Sequence, residues 1–209
     1  MILLSFTDRA AIWNIDMINT RKFEARMDLK LKTMTTVALI TAVICVLGPL
    51  AIPIGPVPIS LGVLGILLGV YILGAWKGTL AVVLYLLIGL VGIPVFSGFS
   101  GGAGKLLGPT GGYLIGYIPL ALIAGWFVDH FYHQIPLQIL GMVLGIAVLY
   151  LFGTVWLAHQ ADMTFQAALA AGVIPFIPFD LAKLAVSLML GRSVRNALMK
   201  AGILFDERH

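Results

Sequence analysis

An acid and a base stand three residues apart in an apolar stretch near the end of the sequence, at Asp180 and Lys183. The i, i+3 spacing puts both side chains on one helix face, and Ser187 continues that face one turn later. An ionised aspartate only accepts hydrogen bonds and a lysine only donates them, so the pair matches a neutral ligand with adjacent N–H and C=O groups. A ligand carboxylate would instead recruit Lys183. A salt bridge that only neutralises itself is the alternative, and the functional interpretation is favoured because intramembrane charge is costly.

Two prolines precede this pair, at Pro175 and Pro178. Because proline removes a helical hydrogen bond and crowds the preceding turn, we expect the helix to be interrupted there. Asp180 would then lie in the first turn of a new helical segment, where the helix dipole favours an anion.

The second candidate site is a glycine-rich stretch, residues 95–111, which contains SGGAGK. It does not complete a phosphate-binding loop, because Phe99 stands at the required first glycine and Leu106 at the required Ser or Thr. Glycine allows the backbone to approach a ligand closely, and loops of this length are more often functional than incidental. A ligand-lining role is favoured for this glycine loop, including Gly101 and Gly102, and a flexible connector is the alternative.

The elements that must position these residues are membrane helices. Of the 209 residues, 60% are apolar and 11% are charged, against about 45–50% and about 25% in a soluble domain. A water-soluble globule of this size could not cover so much apolar surface, so the composition indicates an integral membrane protein. The single cysteine, Cys45, excludes an internal disulfide and a cysteine-based zinc site.

The hydropathy pattern predicts an all-α fold with six transmembrane helices, each near the length of about 20 apolar residues that one crossing needs. The predicted spans are residues 35–52, 58–75, 78–96, 111–129, 135–157 and 168–191. The membrane domain is expected at 33–204, between an N-terminal tail at 1–32 and a C-terminal tail at 205–209. A short hairpin at 76–78 separates the second and third spans. The charged segment 1–35 is interpreted as a short amphipathic surface helix or as a start-codon artefact, since Met27 and Met34 are alternative starts.

Lysine and arginine are unequally distributed between the two sides of these spans. One side holds both termini and every basic residue except Lys105, which lies on the other side, and Lys183, which lies within a span. The positive-inside rule therefore places both termini in the cytoplasm and the glycine loop outside. The same bias accounts for the net charge of +4 without nucleic acid as a partner.

The other chemistry-bearing residues give weaker signals. His130 and His133 have no carboxylate or cysteine partner, so they are interpreted as interfacial residues and no metal site is predicted. No Ser–His–Asp nucleophile arrangement can be argued. Most aromatic residues, Tyr117 among them, are assigned to interface belts. Tyr113 is kept as a site candidate because it follows the glycine loop directly.

Two further segments are expected to support binding or assembly. Residues 47–60 contain four prolines and no charge, which fits either a hinged apolar flap over a pocket or a kinked helix end. In the first span, Ala38 and Ala42 form a small-xxx-small pattern that nominates a face for a partner helix.

Three motifs together resemble one known family: PVFSGFSGGAGKLLGPTGGYLIGY, with PVPISLG before it and PFIPFDLAK after it. They are similar to the BioY family, the biotin-specific S components of energy-coupling factor (ECF) transporters. The resemblance covers residues 33–204. It implies a six-helix membrane fold with both termini inside, and biotin bound near the outer side of the membrane beneath the first external loop.

Carried onto this sequence, the resemblance implies that Asp180 and Lys183 hydrogen-bond to the head group of biotin. It also implies that the glycine loop lines the pocket, with Ser100 where some relatives have an asparagine. Tyr113 follows the GPTGG turn as it does in the family. Lys105 is a candidate partner for the biotin carboxylate.

The resemblance also implies partners. Ala38 and Ala42 match the face that docks the transmembrane coupling (T) subunit, which acts with two ATPase (A) subunits, and this sequence carries no ATP-binding motif of its own. A binding subunit of the cell membrane is therefore expected, rather than an enzyme, with biotin as transported ligand and no cofactor. The chain departs from the family at Gly62, where relatives often have glutamine, which removes the basis for a polar contact from the second span.

Three rival functions remain open on the residues alone. The first is an S component for another vitamin, such as riboflavin or thiamine. The second is an intramembrane enzyme that uses Asp180 as an acid or base. The third is a scaffold subunit without a ligand.

Overall fold

The computed structural model describes the backbone of residues 6–204 and the side chains of residues 21, 24 and 27–204. This part of the chain contains seven helices and one two-stranded antiparallel hairpin. In chain order the elements are α1 (Phe6–Leu47), β1 (Ala51–Ile52), β2 (Ile59–Ser60), α2 (Gly62–Leu90), α3 (Ala103–Leu107), α4 (Gly111–His130), α5 (Ile135–Gln160), α6 (Phe165–Gly172) and α7 (Ile177–Lys200). The predicted C-terminal tail at 205–209 lies outside the described residues.

The chain divides into two compact units, Met1–Thr36 and Val37–His209. In the first unit the described backbone is helical from Phe6 onward. The hydroxyl of Thr35 donates to the carbonyl oxygen of Leu31 within the helix at 2.8 Å, and that of Thr36 donates to the carbonyl oxygen of Lys32. The second unit contains the apolar core and all the candidate site residues.

Four described helices are long and apolar enough to cross a membrane: Met27–Leu47 within α1, then α2, α4 and α5. Helices α6 and α7 meet at a bend of 48° and make a fifth span if they are taken together. The chain is therefore a multi-pass helical membrane protein, as predicted. The predicted count of six is not confirmed, because most of the two spans expected at 58–75 and 78–96 belongs to the single 29-residue α2.

Helix α2 reverses direction at Gly74, whose φ of 80° lies in the left-handed region that favours glycine. A Cβ built on Gly78 would come within 2.8 Å of the Cα atom of Val70, although a straight helix would separate residues eight apart by about 12 Å. Residues 62–73 and 75–90 therefore lie side by side as a helical hairpin. The turn lies before the predicted position at 76–78, because Gly74 and not Gly78 takes the left-handed conformation.

Six polar or aromatic residues surround this reversal and are called the reversal cluster: Tyr71, Asp129, Tyr132, Gln138, Arg195 and Asn196. Asp129 accepts the backbone N–H of Ala75 at 2.7 Å, at the start of the second half of α2. Arg195 donates to the carbonyl oxygen of Tyr71 at 3.0 Å and lies 3.6 Å from Asp129. Gln138 is fully buried, accepts from the Tyr71 hydroxyl at 2.7 Å, and donates to a carbonyl at the end of α4. The cluster thus joins α2, α4, α5 and α7.

The proline-rich segment 47–60 forms the β1–β2 hairpin, in which Ala51 pairs with Ser60 and Ile52 with Ile59. This is neither a kinked helix end nor part of the following span, which begins at Gly62. A short hairpin between two helices is compatible with the predicted flap.

The glycine loop is held by hydrogen bonds on both sides of α3. The backbone N–H of Gly102 donates to the carbonyl oxygen of Gly89 at 2.7 Å, which holds the loop to the end of α2. The indole N–H of Trp156 on α5 donates to the carbonyl oxygen of Gly108 at 2.9 Å. With α3 between these two points, the segment is a structured loop rather than a featureless connector.

Helix α4 lies at the centre of the second unit, packed against α2 on one side and α5 on the other. Its inward residues Leu120, Ala121, Ala124 and Val128 are fully buried. The first turn of α4 follows the glycine loop directly, so this central helix connects the loop to the core and to the site described next.

Candidate functional site

The acid–base pair of the sequence lies in the interior of the structure. Asp180 is 3% exposed and Lys183 is 6% exposed. The ammonium group of Lys183 donates to Asp180 Oδ1 at 2.7 Å, and the hydroxyl of Tyr150 donates to Asp180 Oδ2 at 2.7 Å. These three residues are called the cavity cluster. Both carboxylate oxygens therefore have one partner, and each retains a lone pair for a second hydrogen bond.

The break before the pair is as predicted. Helix α6 ends at Gly172, α7 begins at Ile177, and Pro178 occupies one of the first two positions of α7, where a missing N–H costs no helical hydrogen bond. Asp180 lies in the first turn of α7, so its carboxylate is at the positive end of the helix dipole. The predicted span at 168–191 is thus two helices, and the second continues to Lys200 because no helix breaker interrupts it.

The central cavity beside the pair is small, about 30 Å³. Its walls come from five parts of the fold: the hairpin segment, α2, α4, α5 and the α6–α7 junction with α7. The lining residues are Val57, Pro58, Ser60, Val63, Tyr113, Tyr117, Leu149, Tyr150, Phe176, Asp180 and Lys183. A cavity needs about 10–15 Å³ to hold one water molecule, whereas sites for small organic ligands measure about 300–1,000 Å³. A vitamin-sized ligand therefore requires part of the wall to move.

Three tyrosines line the central cavity, and each hydroxyl is directed to a different wall. Tyr117 interacts with the side chain of Ser60 on β2. Tyr113 donates to the carbonyl oxygen of Gly172 at 2.9 Å, at the end of α6. Tyr150 donates to Asp180 on α7. The tyrosines thus tie the hairpin, α6 and α7 to α4 and α5.

A second cavity, of about 170 Å³, lies between α5 and α7 and also borders Asp180. It is lined by Val143, Ile146, Ala147, Tyr150, Ile177, Asp180 and Leu181. Its outer members are exposed, with Leu181 at 55% and Ile177 at 44%. Tyr150 and Asp180 line both this lateral, apolar cavity and the central one.

Of the residues nominated from the sequence, Asp180, Lys183 and Tyr113 line the central cavity, whereas those of the glycine loop do not. Ser100 donates its hydroxyl to the carbonyl oxygen of Ser97 at 2.8 Å. Gly101 packs so closely on the segment that follows α2 that a Cβ would lie 2.5 Å from the carbonyl oxygen of Ile93. The structure accounts for these residues through the folding of the loop, and their contact with a ligand stays a prediction.

Two further glycine-loop residues have local roles in the structure. Gly102 has a φ of 87°, a left-handed conformation that favours glycine, and directly precedes α3. Lys105 lies on α3 and is half-buried, and this burial lowers the pKa of its ammonium group below the ordinary 10.5. A half-buried cation on this loop is suited to an anionic group of a ligand.

Sequence reasoning misses two tyrosines and a serine of the cavity wall. The assignment of Tyr117 to an interface belt is wrong, because the side chain is buried at 7% exposure and lines the cavity. Its i, i+4 spacing from Tyr113 is an available signal, since that spacing puts both on one helix face. Tyr150 and Ser60 carry no such signal, because their neighbours in space come from other elements.

The remaining nominations lie away from the cavity. Ala38 and Ala42 are exposed and share one face of α1 with the exposed Leu39 and Val46. The Nδ1 atom of His130 lies 2.9 Å from the carbonyl oxygen of Trp126, and the imidazole stacks on the indole ring. Among the described residues, no group of three or more His, Cys, Asp or Glu side chains could hold a metal.

Comparison with known proteins gives one consistent result. The model of the BioY family matches residues 19–200. The biotin transporter BioY2 of Lactococcus lactis is 37% identical over 170 residues, which cover 81% of this chain and 93% of that protein. The biotin transporter BioY of Thermotoga maritima is 37% identical over 166 residues, covering 79% and 97% respectively.

A solved structure is similar as well. The crystal structure of the S-component for biotin from an ECF-type ABC transporter superposes with a TM-score of 0.75 at 34% identity. The match covers 80% of this chain and 92% of that one.

Proposed function

The chain belongs to the BioY family, and on that premise we propose that it binds biotin with high affinity as the substrate-binding S component of an ECF transporter. Its family is one of transporter subunits, not enzymes. The observation that carries the proposal in this chain is the buried Asp180–Lys183 pair at the wall of the central cavity.

The chemistry of the pair fits the ureido ring of biotin, which carries two N–H donors beside a carbonyl acceptor. Asp180 accepts one ligand N–H on a free lone pair, and Lys183 donates to the ligand carbonyl with one of its three N–H groups. Both groups are already desolvated, so a matched ligand gains full hydrogen bonds without a further desolvation cost to the protein. Tyr150 holds the carboxylate in place while this happens.

Binding requires the central cavity to expand beyond about 30 Å³. The β1–β2 hairpin is the element proposed to move, because it contributes Val57, Pro58 and Ser60 to the wall. Its ladder is only two residue pairs long, so displacing it breaks few backbone hydrogen bonds. The glycine loop then closes over the valerate chain through Ser100, Gly101 and Gly102, and Lys105 pairs with the carboxylate of biotin.

We further propose six membrane crossings with both termini in the cytoplasm. The reversal at Gly74 supports this count, since it makes two antiparallel helices out of α2. The crossings are then α1, the two halves of α2, α4, α5, and α6 with α7. The excess of basic residues on the side of the termini supports the orientation and the cytoplasmic membrane as the location.

Release of biotin to the cytoplasm requires partners. Ala38 and Ala42 lie on an exposed apolar face of α1, where small residues allow a partner helix to approach closely. We propose that the T subunit docks there and that two ATPase subunits supply the energy. Binding must weaken after docking, so the hairpin and glycine loop must have two states that the partners bias.

Radiolabelled biotin binding to the purified chain tests this function directly. The expected result is saturable binding of unmodified biotin that excess cold biotin abolishes and that riboflavin or thiamine leaves unchanged. Preferential competition by either of the other vitamins would assign a different ligand, and chemical turnover of the bound biotin would assign an enzyme.

A further inference from the structure

Tyr113 is enclosed by glycines on two neighbouring helices. A Cβ on Gly153 of α5 would lie 2.2 Å from the tyrosine ring, and a Cβ on Gly172 of α6 would lie 2.0 Å from its hydroxyl oxygen. Real side chains do not approach so closely in a packed interior. The absence of a side chain at these two positions therefore creates the slot in which Tyr113 lies.

The same tyrosine contacts both sides of the junction between α6 and α7. Its hydroxyl donates to the carbonyl oxygen of Gly172, the last residue of α6, at 2.9 Å. Its ring stacks on Phe176, with ring centroids 6.4 Å apart and an angle of 12° between the planes. Phe176 is the residue immediately before α7. Tyr113 thus contacts the chain at both ends of the four-residue junction, 173–176, that sets the direction of α7.

Phe176 is hydrogen-bonded to the acid–base pair through the backbone of α7. The backbone N–H of Asp180 donates to the carbonyl oxygen of Phe176 at 2.8 Å, which fixes the first turn of α7. Lys183 lies one turn further on the same face. A shift of Phe176 therefore displaces the pair relative to the cavity, although the hydroxyl of Tyr113 donates to Gly172 and not to either member of the pair.

We propose that Tyr113 is a positioning residue for the binding of biotin: it holds the α6–α7 junction so that Asp180 and Lys183 face the central cavity, and its hydroxyl does not donate to the ligand. The single hydroxyl hydrogen is already used on Gly172. Because α4 begins at the end of the glycine loop, Tyr113 also connects that loop to α7. The positioning role of Tyr113 rests on the proposed function only in those tests that measure the affinity for biotin.

A double-mutant cycle on the full chain tests the contact. We expect Tyr113→Phe to weaken biotin binding about three- to tenfold, and Gly172→Ala to weaken it more than about tenfold, because the new Cβ meets the hydroxyl. With both changes, affinity returns to the level of Tyr113→Phe alone, since the nearest remaining ring carbon lies 3.2 Å from a Cβ built on Gly172. If Gly172→Ala alone does not fold, recovery of folded protein by Tyr113→Phe supports the same contact.

Gly153→Ala is the matched control. Its Cβ meets ring carbons that phenylalanine retains, so Tyr113→Phe is expected to leave the defect of Gly153→Ala uncorrected. If the hydroxyl instead donated to biotin, the losses from Tyr113→Phe and Gly172→Ala would multiply in the double variant, and the proposal would be overturned.

Hydrogen exchange without biotin separates this inference from the proposed function. We expect backbone amides of residues 173–180 to exchange at least about threefold faster in Tyr113→Phe than in the wild type, with those of α5 unchanged. Equal exchange rates at 173–180 would overturn the positioning role. A wild-type chain that bound no biotin would remove the proposed function and leave this exchange comparison intact.

Discussion

The reversal cluster and the cavity cluster both include residues of α7, but their side chains have different kinds of hydrogen-bond partner. The reversal cluster bonds largely to backbone: Asp129 to the N–H of Ala75, and Arg195 to a carbonyl of α2. The cavity cluster bonds only side chain to side chain, through Lys183 and Tyr150 onto Asp180. Fifteen residues of helix, about 22 Å, separate Asp180 from Arg195.

The two clusters also differ in whether they border a cavity. Both cavities border Asp180 and Tyr150, and neither is lined by a member of the reversal cluster. Side chains that bond to backbone groups at helix ends pair groups that the helix itself leaves unpaired, so their loss destabilises those ends. Side chains that bond to each other beside a void can exchange or add partners when a ligand enters. We therefore expect the cavity cluster to determine binding and the reversal cluster to determine stability.

The largest expected effect follows from breaking the buried pair. Lys183→Met leaves the carboxylate of Asp180 without its cation, and Asp180→Asn leaves the ammonium group without its anion. Either change alone should weaken biotin binding at least tenfold, about 1.4 kcal/mol, in calorimetric titration. Removing one partner of a buried pair also destabilises a fold, by about 3–5 kcal/mol, so each variant must first be shown to be folded.

The double variant Asp180→Asn with Lys183→Met distinguishes function from structure here. It removes both charges and so avoids an unpaired one, and we expect it to be more stable than either single variant yet still defective in binding. Wild-type affinity in both single variants would remove the pair from the site.

Asp129→Ala should show the opposite pattern. It removes the acceptor for the N–H of Ala75 and the anion beside Arg195. Asp129 accepts from the first turn of a helix as an N-cap residue does, and loss of an N-cap costs about 0.5–2 kcal/mol. The melting temperature of the purified chain should fall, while the affinity of the folded fraction for biotin stays within about twofold. Asp129→Asn keeps an acceptor oxygen and should recover part of the stability. A tenfold loss of affinity in folded Asp129→Ala would break the distinction between the clusters.

Tyr150→Phe tests how much one hydrogen bond of the cavity cluster contributes to binding. The change removes the donor to Asp180 Oδ2 but leaves the ring in the wall. A hydrogen bond contributes about 1 kcal/mol net, so we expect biotin binding to weaken about fivefold. Tyr132→Phe is the matched control, because it removes a tyrosine hydroxyl that donates to Asn196 in the reversal cluster, and it should leave affinity unchanged. Tighter binding in Tyr150→Phe would show that the ligand must displace this hydroxyl.

The sequence was sufficient for features that depend on neighbours along the chain. The break before Asp180 followed from Pro175 and Pro178, and the shared face of Asp180 and Lys183 followed from their spacing. The sequence placed the reversal of α2 at 76–78 rather than at Gly74, because the apolar pattern continues through the turn and does not mark its exact position. The role of Tyr150 depends on a residue 30 positions away, and no local pattern reports such a contact.

The smallest expected effect concerns Lys105, which neither cluster contains. Its half-burial lowers the pKa of the ammonium group below 10.5. Only the protonated form attracts a carboxylate, so biotin affinity should fall as the pH rises through this lowered pKa, at a lower pH than for an exposed lysine. A partly exposed ion pair contributes about 0.2–1 kcal/mol, so the fall should be at most about fivefold. In Lys105→Met, affinity should be lower at neutral pH and lose this pH dependence, whereas biotin methyl ester should bind both chains equally. The same pH profile in both chains would assign the carboxylate to another residue and leave the roles of the two clusters unchanged.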